Sequence, residues 1–191
     1  MQHSAIFFDR DGTLNEDPGY LSNPSEVKLY PGTAEALAIL KNELNFKLIV
    51  ISNQSGIARG LITREIVESI HDRINELLID SKVSIDAFYY CPFHPEYSTK
   101  EEASCRKPSP EMVLKAAREN DIELSNSYFV GDSVSDIECG KNSGLKTILV
   151  KTGYGEESIS ILQKQNNFPT FVAQNISEIC EIIKNDLSGV K

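Results

Sequence analysis

Two aspartates, Asp9 and Asp11, stand two residues apart directly after the apolar run Ala5-Ile6-Phe7-Phe8, and Gly12 and Thr13 follow them. A short apolar run bounded by turn residues is expected to form a buried strand. Both carboxylates should then sit where the chain leaves a sheet. Side chains at i and i+2 on an extended segment point the same way. Two carboxylates that close repel, and one resists ionisation unless a cation lies between or beside them. Their hard oxygens suit Mg²⁺. Gly12 lets the backbone approach a ligand closely, and Thr13 offers a hydroxyl to an anion. An Asp-x-Asp alone is more often only a polar turn, so the rest of the chain has to supply partners.

Three further polar clusters follow the same pattern. Ser52-Asn53 ends the apolar stretch Lys47 to Ile51, and Asp132, with Asp136 four residues on, ends Tyr128-Phe129-Val130. Arg106-Lys107 lies just ahead of Ser109-Pro110-Glu111, which carries the marks of a helix start: a capping side chain, proline at the first helical position and an acid in the first turn. Ser52 alone would be a strand-end serine satisfying backbone groups, and a basic pair is usually a solvated turn. A pair placed before a helix N-terminus is better suited to an anion. Lysine would supply a compact charge, arginine a planar fork.

The elements that must position these groups alternate along the chain. A polar loop at 15–30, anchored by Tyr20, Leu21 and Leu29, precedes a helix over 34–44 with Thr33 as its N-cap. A strand at 47–51 leads to a helix opened by Thr63, with Ile66, Ile70, Ile74 and Leu77 on one face. A strand at 85–91, a polar loop at 92–107 and the helix after Ser109 come next. Strands at 128–130 and 147–150 flank a short helix at 134–142. A helix at 156–165, a strand at 170–173 and a C-terminal helix from 176 close the sequence. This alternation predicts an α/β fold: a Rossmann-like, doubly wound, mostly parallel sheet with helices on both faces. Ligands in such sheets lie at the carboxyl ends of the strands where strand order reverses.

The 191 residues and 40% hydrophobic content predict one domain, 1–191, with a sizeable core. A net charge of −9 argues against nucleic acid or an anionic membrane as partner. No apolar run is long enough to span a bilayer, and no basic-then-apolar leader is present, so the chain is expected in the cytoplasm. Its four cysteines, Cys91, Cys105, Cys139 and Cys180, are accordingly expected as free thiols or metal ligands rather than disulfides. Cys139 and Cys180 read as packed.

Phe8-Asp9-Arg10-Asp11-Gly12-Thr13 resembles the first motif of the haloacid dehalogenase superfamily. The resemblance implies Asp9 as nucleophile and Asp11 as general acid/base. The superfamily's ATPases carry threonine at that second position, so the aspartate implies transfer to water or another hydroxyl. Ser52 resembles the second motif, which hydrogen-bonds the transferring phosphoryl group, with Asn53 nearby. Lys107 resembles the third. Gly131-Asp132-Ser133-Val134-Ser135-Asp136 resembles the fourth, implying an Mg²⁺ site of Asp9, Asp132 and the backbone carbonyl of Asp11, with Asp136 orienting the lysine or a metal-bound water.

No insertion is long enough for a cap domain, leaving loops 15–30, 55–62 and 92–105 around the site. The first motif, Ser52 through Gly60 and Cys105-Arg106-Lys107-Pro108 together resemble the capless D-glycero-D-manno-heptose 1,7-bisphosphate phosphatases. That resemblance implies removal of the 7-phosphate from a monomeric enzyme, with Arg59 and Arg106-Lys107 contacting substrate. Histidinol-phosphate phosphatases are close relatives and an alternative reading, as is a catalytically silent binding domain; a phosphomutase would need a cap to exclude water. The family's zinc loop runs Cys-x-His, then Cys-x-Cys. Here Phe93 and Ala103 replace two ligands, leaving Cys91, Cys105 and a displaced His94. A structural zinc site wants four Cys/His ligands, so the loop is expected to be ordered by Phe93 and its apolar neighbours instead.

Overall fold

Ile6 pairs with Leu48 on one side and with Tyr128 on the other, which places the first strand at the centre of a sheet. The computed structural model describes residues 2–189. Its strands are β1 (Ala5–Phe8), β2 (Lys47–Asn53), β3 (Ala87–Cys91), β4 (Tyr128–Gly131), β5 (Lys146–Val150) and β6 (Phe171–Ala173). They form one sheet in the order β3-β2-β1-β4-β5-β6, and every pairing is parallel. The chain winds outward from β1 through β2 to β3, then returns across the sheet to β4. The order therefore reverses between β1 and β4, and the carboxyl ends of those two strands bound the crevice. No separate cap domain accompanies this sheet among the described residues.

The helices are α1 (Thr33–Ala38), α2 (Arg64–Leu78), α3 (Glu111–Glu119), α4 (Val134–Asn142), α5 (Gly155–Lys164) and α6 (Ile179–Leu187). Successive strand side chains alternate between faces, and β1 divides its residues accordingly. Ile6 and Phe8 join Leu37, Ile70, Ile74, Ile179 and Ile183 from α1, α2 and α6. Ala5 and Phe7 join Met112, Val113 and Ala116 of α3 and Cys139 of α4 on the opposite face. Each fully buried large apolar side chain contributes about 1.5–3 kcal/mol, and the nearly continuous apolar runs of β1 and β2 follow from burial on both faces.

Local differences from the sequence reading have local causes. Gly32, not Thr33, occupies the N-cap position of α1, because the Thr33 hydroxyl instead donates to the Leu14 carbonyl at 3.2 Å. The helix expected to 44 relaxes into a π turn over Ile39–Glu43. Pro110 is the cap of α3, with the Ser109 hydroxyl accepting from the Glu111 N–H at 3.3 Å. β2 continues two residues past Ile51, so Ser52 and Asn53 belong to the strand. β3 starts at Ala87 rather than 85, since the Ile85 N–H is taken by the Asn75 side chain.

Candidate active site

Asp9 is the first residue beyond β1, and its N–H donates to the Val130 carbonyl of β4 at 2.9 Å. The carboxylate is thus fixed at the mouth of the switch point. Lys107, brought from 98 residues away, places Nζ 2.6 Å from Asp9 Oδ1, 2.6 Å from Asp136 Oδ1 and 2.9 Å from the Ile51 carbonyl. The Asn53 side chain holds the backbone of Lys107 at both ends: its Oδ1 accepts the Lys107 N–H at 3.0 Å and its Nδ2 donates to the Lys107 carbonyl at 3.3 Å. Asn53 lines the cleft, but its amide is spent on positioning the lysine loop rather than left free for an anion.

Asp136 is fully buried and closes a capping box at the start of α4, its Oδ2 accepting from the Ser133 N–H at 3.0 Å and hydroxyl at 2.6 Å. Its other oxygen is left for Lys107. Asp132, one residue past β4, accepts the Tyr154 N–H at 2.8 Å. Gly12 and Gly153 press against it: a Cβ at either would lie 2.2 and 2.1 Å from Asp132 Oδ2, and both residues have positive φ, 83° and 54°. Only glycine fits either place.

Charge in the site is uneven. Burial, the first cause, would lower the Lys107 pKa, but Asp136 and Asp9 outweigh it and hold the ammonium above its ordinary value. Asp9 is raised well above the usual carboxylate range by burial, with Asp136 and Asp132 adding to the shift against the pull of Lys107. Burial and Asp136 push Asp132 up to about 7. Asp11 goes the other way. Burial would raise it, yet the Arg10 guanidinium and hydrogen bonds from Asn15 and Gln54 leave it below its ordinary value. The two aspartates of the motif are therefore relieved separately, one by Lys107 and one by Arg10.

Carboxylate oxygens of Asp9, Asp132 and Asp136 lie within 4.8 Å of one another. Three acidic groups crowded against one ammonium form a hard-oxygen set, and the raised Asp9 and Asp132 are groups a divalent cation would return to the ionised form. The donor set fits Mg²⁺.

The cleft, about 290 Å³, is lined by Asp9, Asp11, Ser52, Asn53, Arg106, Lys107 and Asp132 among the residues expected from sequence. Ser52 is buried, its hydroxyl accepting from Gln54 Nε2 at 2.6 Å. Loop 15–30 contributes Asp17, Gly19, Tyr20 and Leu21, and loop 55–62 contributes Ser55, Gly56 and Ile62. Arg59 lies outside the lining. Its guanidinium covers the Tyr97 ring at 4.8 Å and approaches His94 Nε2 at 3.2 Å. Arg106 is half-buried, has no carboxylate partner among the described residues, and has its pKa lowered by burial and by the neighbouring Arg59.

Cys91 and Cys105 form a disulfide, which corrects the expectation that all four cysteines are free thiols or metal ligands. The end of β3 and the residue before Arg106 meet at a Cα separation of 5.7 Å, within disulfide reach; the sequence argument rested on compartment and could not see this proximity. The two sulfurs are bonded to each other, and His94 is turned to Arg59 and to the Glu96 N–H. Phe93 packs with Cys91, Ile51 and Met112 on the α3 face of the sheet. Cys139 and Cys180 are free and buried.

Residues 104–179 match the family described as HAD-hydrolase-like. The D-glycero-D-manno-heptose-1,7-bisphosphate 7-phosphatase of Chlorobaculum tepidum is 45% identical over 180 residues, 90% of this chain and 89% of that protein. The chain belongs to the haloacid dehalogenase superfamily. The D-glycero-beta-D-manno-heptose-1,7-bisphosphate 7-phosphatase of Pasteurella multocida is 37% identical over 94% of this chain and 96% of its own length. In structure, the superfamily's D,D-heptose 1,7-bisphosphate phosphatase from B. bronchiseptica, crystallised with magnesium and phosphate, superposes with a TM-score of 0.84 at 31% identity, covering 96% of this chain and 99% of the other. The sequence reading of the superfamily missed Arg10, Asn15 and Gln54, which surround Asp11. Their one signal was position: Arg10 stands inside the motif, and Gln54 two residues after Ser52.

Proposed function

We propose that the chain is a Mg²⁺-dependent phosphatase that removes the 7-phosphate of D-glycero-D-manno-heptose 1,7-bisphosphate through a phosphorylated Asp9. The observation that carries this reading is the convergence of Asp9, Asp11, Lys107 and Asp132 in one cleft with Arg106 at its edge and, among the described residues, no carboxylate to pair it. A catalytically silent domain has no physical need for that set. Asp9 attacks phosphorus; the sugar hydroxyl leaves with a proton from Asp11. Water then attacks phosphorus, Asp11 takes its proton, and Asp9 and phosphate separate. The Arg10 fork favours the ionised Asp11 required for that second half. Lys107 and the Ser52 hydroxyl face the transferring group, and Asn53 holds the Lys107 backbone in place. Asp9, Asp132 and the Asp11 carbonyl would hold the metal, which supplies charge neutralisation at the phosphoryl oxygens. Asp136 orients Lys107.

Arg106, with Arg59 beside it, supports a bisphosphate substrate. Burial and the neighbouring Arg59 disfavour the Arg106 cation, and a second anion would relieve it. Phosphate release should therefore be fastest from the heptose bisphosphate in a comparison with fructose 1,6-bisphosphate and histidinol phosphate. Arg106→Ala should raise KM for the bisphosphate more than for a monophosphate. Equal effects on both, with histidinol phosphate the better substrate, would favour the histidinol-phosphate reading. We further infer one domain acting as a monomer in the cytoplasm, its loops at 15–30, 55–62 and 92–105 serving in place of a cap. No helix is long and apolar enough to cross a membrane among the described residues.

A further inference from the structure

Four donors surround the Asp11 carboxylate, and Arg10 supplies two of them. Arg10 Nε lies 3.0 Å from Oδ1 and Nη2 2.6 Å from Oδ2; Asn15 Nδ2 reaches Oδ1 at 2.9 Å and Gln54 Nε2 reaches Oδ2 at 3.0 Å. A carboxylate offers about four lone-pair sites; Arg10 takes one on each oxygen, and Asn15 or Gln54 has to release the other before the carboxyl carries a proton. A planar two-point fork fixes the rotation of the carboxylate as well as its place, which a single-point donor cannot do. Asn15 and Gln54 each hold one oxygen only. The arginine itself is immobilised: it is 1% exposed although it lines the cleft. Lys107, the other buried cation of the site, is committed to Asp9 and Asp136 and leaves Asp11 to Arg10.

We propose that Arg10 is a positioning residue, whose fork on Asp11 sets the point from which that carboxyl exchanges a proton with the leaving oxygen and with water. The inference rests on the proposed role of Asp11 as acid and base. Two other roles for a buried arginine in a phosphate cleft predict different behaviour. A phosphate ligand would act on binding, and a folding residue would act on every substrate alike.

The test compares substrates that do and do not need a proton. p-Nitrophenolate leaves unaided, whereas the alkoxide of glycerol 2-phosphate must be protonated as it leaves. Arg10→Lys keeps the charge and loses the fork; Arg10→Gln loses the charge and keeps a donor, so one variant remains informative if the other does not fold. Turnover of glycerol 2-phosphate should fall about 10²-fold in each, the usual loss for a misplaced catalytic group. The single-turnover burst of p-nitrophenolate and the inhibition constant of inorganic phosphate should stay near the parent values, and Arg10→Lys should cost nothing further in an Asp11→Asn background. An equal loss on both substrates, or additivity with Asp11→Asn, would overturn the inference. So would weakened phosphate inhibition with an unchanged leaving-group ratio, which would make Arg10 a phosphate ligand. Asp11→Asn alone separates the two levels: if it shows no leaving-group dependence, the role of Asp11 fails and takes the inference with it, whereas dependence in Asp11→Asn but not in Arg10→Lys removes Arg10 alone.

Discussion

At the scale of single residues, the site is a problem of four carboxylates and two buried cations. Asp9→Asn should abolish turnover, since an amide neither attacks phosphorus well nor serves a divalent cation well; near-normal phosphate release by that variant would exclude phospho-Asp9. Asp11→Asn should slow turnover by roughly 10²–10⁴, and a phosphoenzyme trap that shows normal formation and normal hydrolysis would exclude Asp11 from both proton transfers. A third residue carries a pH prediction. His71 of α2 stacks on Phe88 at 4.2 Å between ring centroids, and its Nε2 is buried without a partner. Burial first, then the charge of Arg10, lowers its pKa to about 3. The unfolded chain binds a proton at this position below about pH 6.5 while the folded chain does not until about pH 3. Stability should then be indifferent to His71 above pH 6.5 and fall as pH drops from 6.5 toward 3. Thermal melts of His71→Phe, which can keep the stack, should show a flatter acid limb; parallel curves for both proteins would refute the assignment.

At the scale of elements, the loop that leaves β3 and returns at Arg106 is closed by Cys91–Cys105 across a sequence separation of 14. A loop of that size gains about 3 kcal/mol from its cross-link. Reductant, or Cys105→Ser, should lower the melting temperature, while a chelator followed by restored Mg²⁺ should leave it unchanged. Stoichiometric zinc in the reduced protein would instead show both cysteines recruited as ligands. This loop also marks where sequence reading stopped. The order of the strands and the run of α4 over 134–142 were legible because apolar periodicity and turn residues are local signals. The Cys91–Cys105 bond and the Asn53 grip on Lys107 were not, because each depends on segments meeting in space, and the Arg10 fork was not, because its side-chain direction is not written in its neighbours. Even local signals can be outcompeted: Thr33 has the chemistry of a cap, but the Leu14 carbonyl claims its hydroxyl.

At the scale of the whole molecule, the site is distributed over both halves of the sheet, with Asp9 and Asp11 from just beyond β1, Ser52 from β2, Lys107 from beyond β3 and Asp132 from just beyond β4. The ion pairs joining Asp9, Lys107 and Asp136 span separations that no local segment can close. Parallel pairing of this kind forms late, because loop closure is opposed by entropy before the distant contacts reward it. In urea, loss of phosphate release should coincide with loss of helical ellipticity, and activity that disappears well before the helices melt would show the site to be a separately fraying unit. The lysine that crosses 98 residues to reach Asp9 thereby makes catalysis a late event in the life of each new chain. A nascent polypeptide that has emerged only as far as β3 holds its nucleophile without its cation, so the enzyme is silent at least until synthesis has passed Lys107 and then Asp132.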